Sequence, residues 1–221
     1  MRFFDYKINI IHFWLSISLS IINIISIFFY APKNLLQGSF GNIFYIHVPV
    51  AWTAFIGYLF VAIFSATYLI KKEKKWDIYA LASAELSSIF MLLVLITGPI
   101  WAKPAWGHFW VWEPRLTTSL ILFLVFVGYF MLREFGGESN QTARFASVLG
   151  LVAFVNVPII FYSVKLWLPE LQSHPQVGQY FDNVGLRPTL VLNYSLFSLI
   201  TIFTFILRLR SSNLKVFYNL K

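Results

Sequence analysis

The sequence contains no cysteine, and this absence excludes several kinds of chemistry. Without thiols the chain can form no disulfide, offer no thiolate to a metal and carry out no thiol–disulfide exchange. The phosphate-binding pattern G-x-x-x-x-G-K-[ST] is also missing, so ATP hydrolysis by a P-loop is not expected. Charge is scarce as well, since only 12% of the 221 residues are charged, about half the share in soluble domains.

Apolar residues are abundant instead, at 58% of the chain with a mean hydropathy of +0.71. Each of six apolar runs is close to the ~20 residues that a helix needs to cross about 30 Å of hydrocarbon. We therefore predict an all-α integral membrane protein, a bundle of six transmembrane helices forming a single membrane domain over residues 1–221. The runs fall at about residues 10–30, 46–70, 78–100, 116–133, 144–164 and 188–207.

The basic residues predict how the bundle is oriented. Twelve Lys and Arg lie in the N-terminus, the loops at 71–77 and 133–144 and the C-terminal tail, and five lie in the alternate loops. The positive-inside rule then places both termini in the cytoplasm, so the net charge of +8 indicates span ends rather than a nucleic-acid partner. Three of the four histidines share the outer side: His47, His108 and His174. His12 begins the first helix on the opposite side, and we expect it to be structural.

Residues 106–116, WGHFWVWEPRL, combine aromatic and charged side chains in a stretch that does not read as a span. Trp110 and Trp112 point about 200° apart on an α-helix, whereas a two-residue spacing puts both rings on one side of an extended segment. We therefore predict an irregular loop at about residues 101–116. Three residues that disfavour an uninterrupted helix lie in the same window: Pro104, Gly107 and Pro114.

The outer histidines do not resemble a site for a bare metal ion. His47 and His174 are far apart in the sequence and no H-x-x-x-H pair exists, whereas zinc sites use compact ligand sets. A flat macrocycle with a central metal accounts for both the histidines and the tryptophans. Two imidazoles can approach opposite faces of a haem while indoles stack against it. Cationic groups on the same side are suited to haem propionates, and the candidates are Lys103, Arg115 and Arg187.

Several neighbouring residues have simpler interpretations. Pro49 follows His47 closely and predicts that the imidazole starts a helix with Pro in its first turn. The isolated tryptophans are typical of an interfacial aromatic belt; they are Trp52, Trp101 and Trp167.

Glu85 lies inside the third apolar run and leaves two interpretations open. Ionisable residues within spans often mark a proton or ion path, which would suit a small secondary transporter. The carboxyl could equally be hydrogen-bonded inside the bundle, to Asn156 or Asn193. A third possibility is a structural membrane subunit whose outer loop only docks a partner.

The segment WGHFWVWEPRLT resembles the W-G-x-x-W-x-W-D (WWD) signature of the haem-handling proteins of cytochrome c maturation. The chain as a whole is similar to their CcmC branch. It shares the six spans, the motif between the third and fourth spans, a His-x-Pro at the start of the second, and a His between the fifth and sixth. These features extend from about residue 40 to residue 210.

The resemblance implies a haem-delivery protein rather than an enzyme. Its transient cargo would be haem b, presented to the membrane-anchored haem chaperone CcmE with the help of an ABC-type complex of CcmA, CcmB and the small subunit CcmD. The implied location is the lipid bilayer of a bacterial inner membrane with the WWD loop on the periplasmic side, and a mitochondrial inner membrane would also suit.

By position, the resemblance implies that His47 and His174 are the axial ligands of the haem iron. The remaining haem-binding residues would be Trp106, Gly107, Trp110, Trp112, Glu113 and Arg115. Glu113 stands where the signature has Asp, which keeps the charge but lengthens the side chain, and His108 occupies a position that the signature leaves free. Related haem lyases of the CcsA type continue the motif with Pro-Lys-Glu, so Pro114-Arg115-Leu116 favours delivery.

Overall fold

The computed structural model describes residues 3–31, 42–167 and 186–217. Six helices of this described part are long and apolar enough to cross a membrane, which confirms the predicted six-span, all-α architecture. The elements are α1 (Phe3–Ile25) with a π-helical turn (Ser26–Tyr30), α2 (Phe44–Lys71), α3 (Lys74–Trp106), α4 (Pro114–Gly136), α5 (Asn140–Phe154), α6 (Asn156–Leu166) and α7 (Leu186–Phe217). Together α5 and α6 form the fifth span.

The antiparallel pair α2 and α3 forms the centre of the bundle, and α2 also packs against α5 and α7. Its core combines aliphatic and aromatic side chains, and at its centre Tyr58 and Phe126 are fully buried with their ring centroids 4.3 Å apart. By contrast, α1 packs mainly against α7. Polar contacts join α1 and α7. His12 Nε2 lies 3.1 Å from the carbonyl oxygen of Thr201 and 3.3 Å from Thr204 Oγ1, and Ser195 Oγ donates to Asn23 Oδ1 at 2.5 Å. His12 thus has the structural setting that was predicted.

The fifth span is interrupted, which the apolar run did not predict. The first half, α5, ends at Phe154 and α6 begins at Asn156. Pro158 explains the interruption, because it lacks the N–H that would bond the Phe154 carbonyl. Asn156 uses this position to donate its side-chain amide to the carbonyl oxygen of Thr118 on α4, at 2.8 Å.

Glu85 is paired with a residue that the sequence did not suggest. Arg210 on α7 donates to both carboxylate oxygens, from Nε at 2.6 Å and from Nη2 at 2.7 Å. The prediction of Asn156 or Asn193 as the partner is therefore wrong. A forked guanidinium can donate to both carboxylate oxygens at once, which a single amide cannot do as well. This pair links α3 to α7 and gives the carboxylate a partner within the bundle.

A second ion pair joins α3 to α4 at the end of the bundle that carries the basic loops. Arg133 Nη2 lies 2.5 Å from Asp77 Oδ1, and Lys74 Nζ lies 3.0 Å from Asp77 Oδ2. The side chains of Asp77 and Arg133 are only 2% and 12% exposed. The guanidinium also lies over the ring of Tyr129, 4.9 Å from its centroid.

Gly57 allows α2 to approach α3 and α7 closely. A Cβ atom at this position would collide with Ser87 Oγ and would lie 2.8 Å from Phe203 Cε2. Small residues at such crossings let membrane helices gain packing energy. Two neighbouring helices thus leave no room for a side chain at position 57.

We expect Gly57→Ala to lower the stability of the bundle by about 1–3 kcal/mol, the usual cost of overpacking a core. The matched control is Gly128→Ala, because a Cβ at Gly128 meets no atom within 4 Å and alanine is the better helix former. Thermal unfolding in detergent, followed by circular dichroism, measures the difference. Equal midpoints for the two variants would contradict the tight crossing.

Candidate functional site

Four helix ends meet around an aromatic cleft, which we call the cleft throughout. It lies between the starts of α2 and α4 and the ends of α3 and α6, and it holds about 1020 Å³ including its open mouth. Besides the imidazole of His47, seven aromatic rings line it: Phe44, Trp52, Phe55, Trp101, Trp106, Trp110 and Phe161.

His47 is a buried wall residue of the cleft, with 8% of its surface exposed. The helix that carries it begins at Phe44, so Pro49 is the sixth helical residue. The prediction that Pro49 occupies the first turn is therefore wrong by about half a turn. The earlier start is tolerated because Pro49 forfeits only one bond, the one its N–H would make to the carbonyl four residues before it.

The imidazole of His47 is held by α3. Its Nδ1 lies 2.9 Å from Thr97 Oγ1, and its ring lies nearly parallel to the indole of Trp101, at 14° with centroids 6.5 Å apart. Gly98 leaves room for the ring, because a Cβ there would lie 3.3 Å from His47 Cε1. Thr97 and Trp101 of α3 thus hold the imidazole beside a residue that has no side chain.

The non-helical part of the predicted loop is shorter than residues 101–116. Helix α3 continues through Pro104 to Trp106 and ends at Gly107, whose φ of 83° is left-handed. That conformation suits glycine at a helix end, and Lys103 Nζ donates to the Gly107 carbonyl oxygen at 2.8 Å. Helix α4 then starts with Pro114 as its first residue and the buried Glu113 as its N-cap.

The tryptophans of this region form two edge-to-face pairs. Trp101 and Trp106 have centroids 5.1 Å apart, and Trp110 and Trp112 have centroids 5.7 Å apart. Contact between the second pair confirms that their rings lie on one side of a non-helical segment. Trp110 lines the cleft, whereas Trp112 is 76% exposed.

Arg115 is the cationic residue that lines the cleft in the described part of the chain. Its guanidinium carbon lies 6.0 Å from the ring centroid of Phe161 on α6. Lys103 is committed elsewhere, to the Gly107 carbonyl and to the ring of Phe109 at 5.3 Å. Of the cations proposed for an acidic ligand, Arg115 is thus the one placed beside the aromatic walls.

The predicted site residues divide into three groups. Those that line the cleft together are His47, Trp106, Trp110 and Arg115. Those that lie beside it in the connection to α4, but do not line it, are Gly107, Trp112 and Glu113, and the side chain of His108 is exposed in the same segment. His174 and the side chain of Arg187 lie outside the described residues.

The sequence analysis did not place Trp52 and Trp101 in the cleft, because it assigned both to an interfacial aromatic belt. Trp101 is buried against His47, and Trp52 meets Phe161 with centroids 4.9 Å apart. The sequence of α2 does contain a pattern that indicates its cleft-lining face. Positions 44, 48, 51 and 55 follow the three-and-four spacing of one helical face, and all four residues line the cleft.

Comparison with known proteins finds relatives that match most of this chain. A family model described as Heme exporter protein C matches residues 2–217. A ccmC-like mitochondrial protein of Marchantia polymorpha is 36% identical over 86% of this chain and 82% of its own length. Heme exporter protein C of Escherichia coli K12 is 33% identical over 85% of this chain and 75% of its own. Its counterpart in Bradyrhizobium diazoefficiens is 37% identical over 73% and 63%.

Proposed function

The chain belongs to the Heme exporter protein C family, and we propose that the cleft is where it holds haem before delivery. Membership makes the chain a multi-pass membrane component of haem delivery for cytochrome c maturation, rather than a catalyst. Such a component has to bind a large aromatic ligand and then release it. The proposal therefore concerns which residues grip the cargo.

One observation carries the proposal: a buried imidazole is fixed at Nδ1 by α3 within an aromatic cleft. Neutral imidazole is a standard axial ligand of haem iron, and the nitrogen of His47 that remains for this is Nε2. The indoles of Trp106 and Trp110 supply flat apolar surface. Arg115 supplies a forked cation for a propionate, so the residues of the cleft fit a haem.

His174 is proposed as the second axial ligand. The segment that contains it joins α6 to α7, and both helices border the cleft region. Phe161 on α6 lines the cleft, and Val191 on α7 belongs to the apolar cluster that contains Trp101. The described helices on either side of the segment therefore both contribute residues at or near the cleft, which supports His174 as the second ligand.

The connection between α3 and α4 is proposed to present the cargo to its acceptor. Trp112 and Phe109 are both exposed there, and the left-handed Gly107 starts the segment away from α3. Glu113 occupies the N-cap position of α4 without a side-chain capping hydrogen bond, and a carboxylate there interacts favourably with the helix dipole. A charge interaction of this kind tolerates Glu in place of the signature's Asp.

The family implies an ABC-type haem export complex, and we propose its details for this chain. The cargo is haem b, the acceptor is the chaperone CcmE, and the complex consists of CcmA, CcmB and CcmD. The cleft faces the periplasmic side of a bacterial inner membrane, or the corresponding side of the mitochondrial inner membrane. The basic loops at the other end of α2, α4 and α7 support this orientation.

The two neighbouring tryptophans provide a matched test of the function. Trp110→Ala should lower the affinity for haem about 3–10-fold, because a lost aromatic contact is worth about 0.5–1.5 kcal/mol beyond its area. Trp112→Ala should leave haem affinity within about twofold and reduce capture of CcmE. Haem per purified protein and co-purified CcmE are measured after extraction from native membranes. Unchanged haem in both variants, with lost assembly, would favour a role in docking alone.

A further inference from the structure

We propose that Thr97 is a positioning residue for the haem ligand His47: its hydroxyl makes Nδ1 the protonated ring nitrogen and reserves Nε2 for iron. This inference rests on the proposed haem site and adds to it a residue outside the tryptophan-rich motif. Thr97 lies on α3, fifty positions along the chain from His47. It would act through the ligand and not by touching the cargo.

The direction of the hydrogen bond follows from counting protons. The Thr97 hydroxyl carries one proton, and Oγ1 donates it to the carbonyl oxygen of Leu93 at 2.7 Å. Towards His47 Nδ1, at 2.9 Å, the same oxygen can therefore offer only a lone pair. With the hydroxyl proton directed to the Leu93 carbonyl, Nδ1 is the donor in this contact. The nitrogen that keeps a lone pair for a metal is then Nε2, since an iron ligand must be unprotonated.

The surroundings of the ring favour the orientation that places Nδ1 at Thr97. A half-turn about the Cβ–Cγ bond would exchange Nδ1 with Cδ2, and a carbon would then face the Thr97 hydroxyl. Gly98 leaves room for the ring, because a Cβ there would lie 3.3 Å from Cε1. The imidazole is nearly parallel to the indole of Trp101, with centroids 6.5 Å apart, so Thr97 supplies the directional contact.

An outer hydrogen bond of this kind changes what the ligand can do. Donation from Nδ1–H orients the imidazole and makes its other nitrogen more basic. A more basic ligand stabilises ferric iron relative to ferrous iron, so the contact should shift the reduction potential of a bound haem. Losing such a partner typically costs about 10–100-fold in metal affinity.

The test compares Thr97→Val, which keeps the shape and removes the acceptor, with Thr97→Ser, which keeps the hydroxyl. We expect Thr97→Val to weaken ferric haem binding at least about 10-fold, to alter the low-spin ferric EPR signal and to raise the haem reduction potential. Thr97→Ser should restore all three. The matched control is Thr67→Val, because Thr67 bonds the Ile63 carbonyl oxygen at 2.7 Å in the same way but contacts no histidine.

The outcomes separate this inference from the proposed function. If His47→Ala loses haem while Thr97→Val matches the wild type in affinity, EPR and potential, Thr97 has no positioning role and the haem site stands. If His47→Ala keeps its spectrum, the haem site itself is misassigned. If Thr97→Val and Thr97→Ala fail to give monodisperse protein while Thr67→Val succeeds, the role of Thr97 is structural and the proposal is overturned.

Discussion

Replacement of His47 by alanine is expected to cost the protein at least about 100-fold in haem affinity, more than the 10–100-fold typical of losing an outer partner. The reason is that the variant loses an iron–nitrogen bond, whereas the aromatic walls of the cleft can still hold the macrocycle loosely. The purified variant should therefore contain little haem. What remains should lack the Soret band of a six-coordinate ferric species.

The control for this result is His108→Ala, since His108 is exposed in the connection between α3 and α4 and does not line the cleft. Its haem content and spectrum should match the wild type. Added imidazole should restore a six-coordinate spectrum to His47→Ala, because the free ligand can enter the space that the side chain leaves. Unchanged six-coordinate spectra in both His47→Ala and His174→Ala would reject the axial assignment.

Removal of the carboxylate of Asp77 should have the largest effect on stability. In Asp77→Ala the guanidinium of Arg133 keeps its largely buried position, at 12% side-chain exposure, without its counter-charge. Breaking one side of a buried ion pair costs about 3–5 kcal/mol. The free energy of unfolding, from denaturant titration in detergent micelles, measures this loss.

The connection between α2 and α3 supplies a control, which separates the effect of burial from the loss of an ion pair in general. Glu73 pairs with Lys75, but these side chains are 46% and 49% exposed, and exposed pairs contribute only about 0–1 kcal/mol. Glu73→Ala should therefore be nearly neutral. The double variant Asp77→Ala/Arg133→Met should recover much of the stability, because it removes the isolated charge as well. A loss in Asp77→Ala no larger than in Glu73→Ala would refute the buried-pair interpretation.

The six spans could be predicted because length and hydropathy are local properties of the chain. The lipid requires about 20 apolar residues for each crossing whatever the neighbouring helices are. The interruption near Pro158 was not predicted, because the hydropathy of a segment does not show whether one of its backbone hydrogen bonds is missing. The continuation of α3 through Pro104 was missed because turn-forming residues raise the probability of a loop without fixing where the helix ends.

The cleft could be predicted only in part, for a similar reason. Trp110 and Arg115 belong to one short motif, so the sequence itself brings them together. Trp101 reaches the site through contact between α2 and α3, and a belt tryptophan looks the same in the sequence. Thr97 is harder still to recognise, because a threonine bonded to the carbonyl four residues earlier is common in membrane helices. Its second contact depends on a histidine from another helix.

The packing of α1 against α7 sets the order in which the protein can be completed during translation. The contact between His12 and Thr201 spans 189 positions, which a ribosome covers in roughly 10–40 s at about 5–20 residues per second. For that time the first helix waits in the lipid without its main neighbour. Chains that terminate before α7 would leave this helix without the contacts that Thr201 and Ser195 make to it.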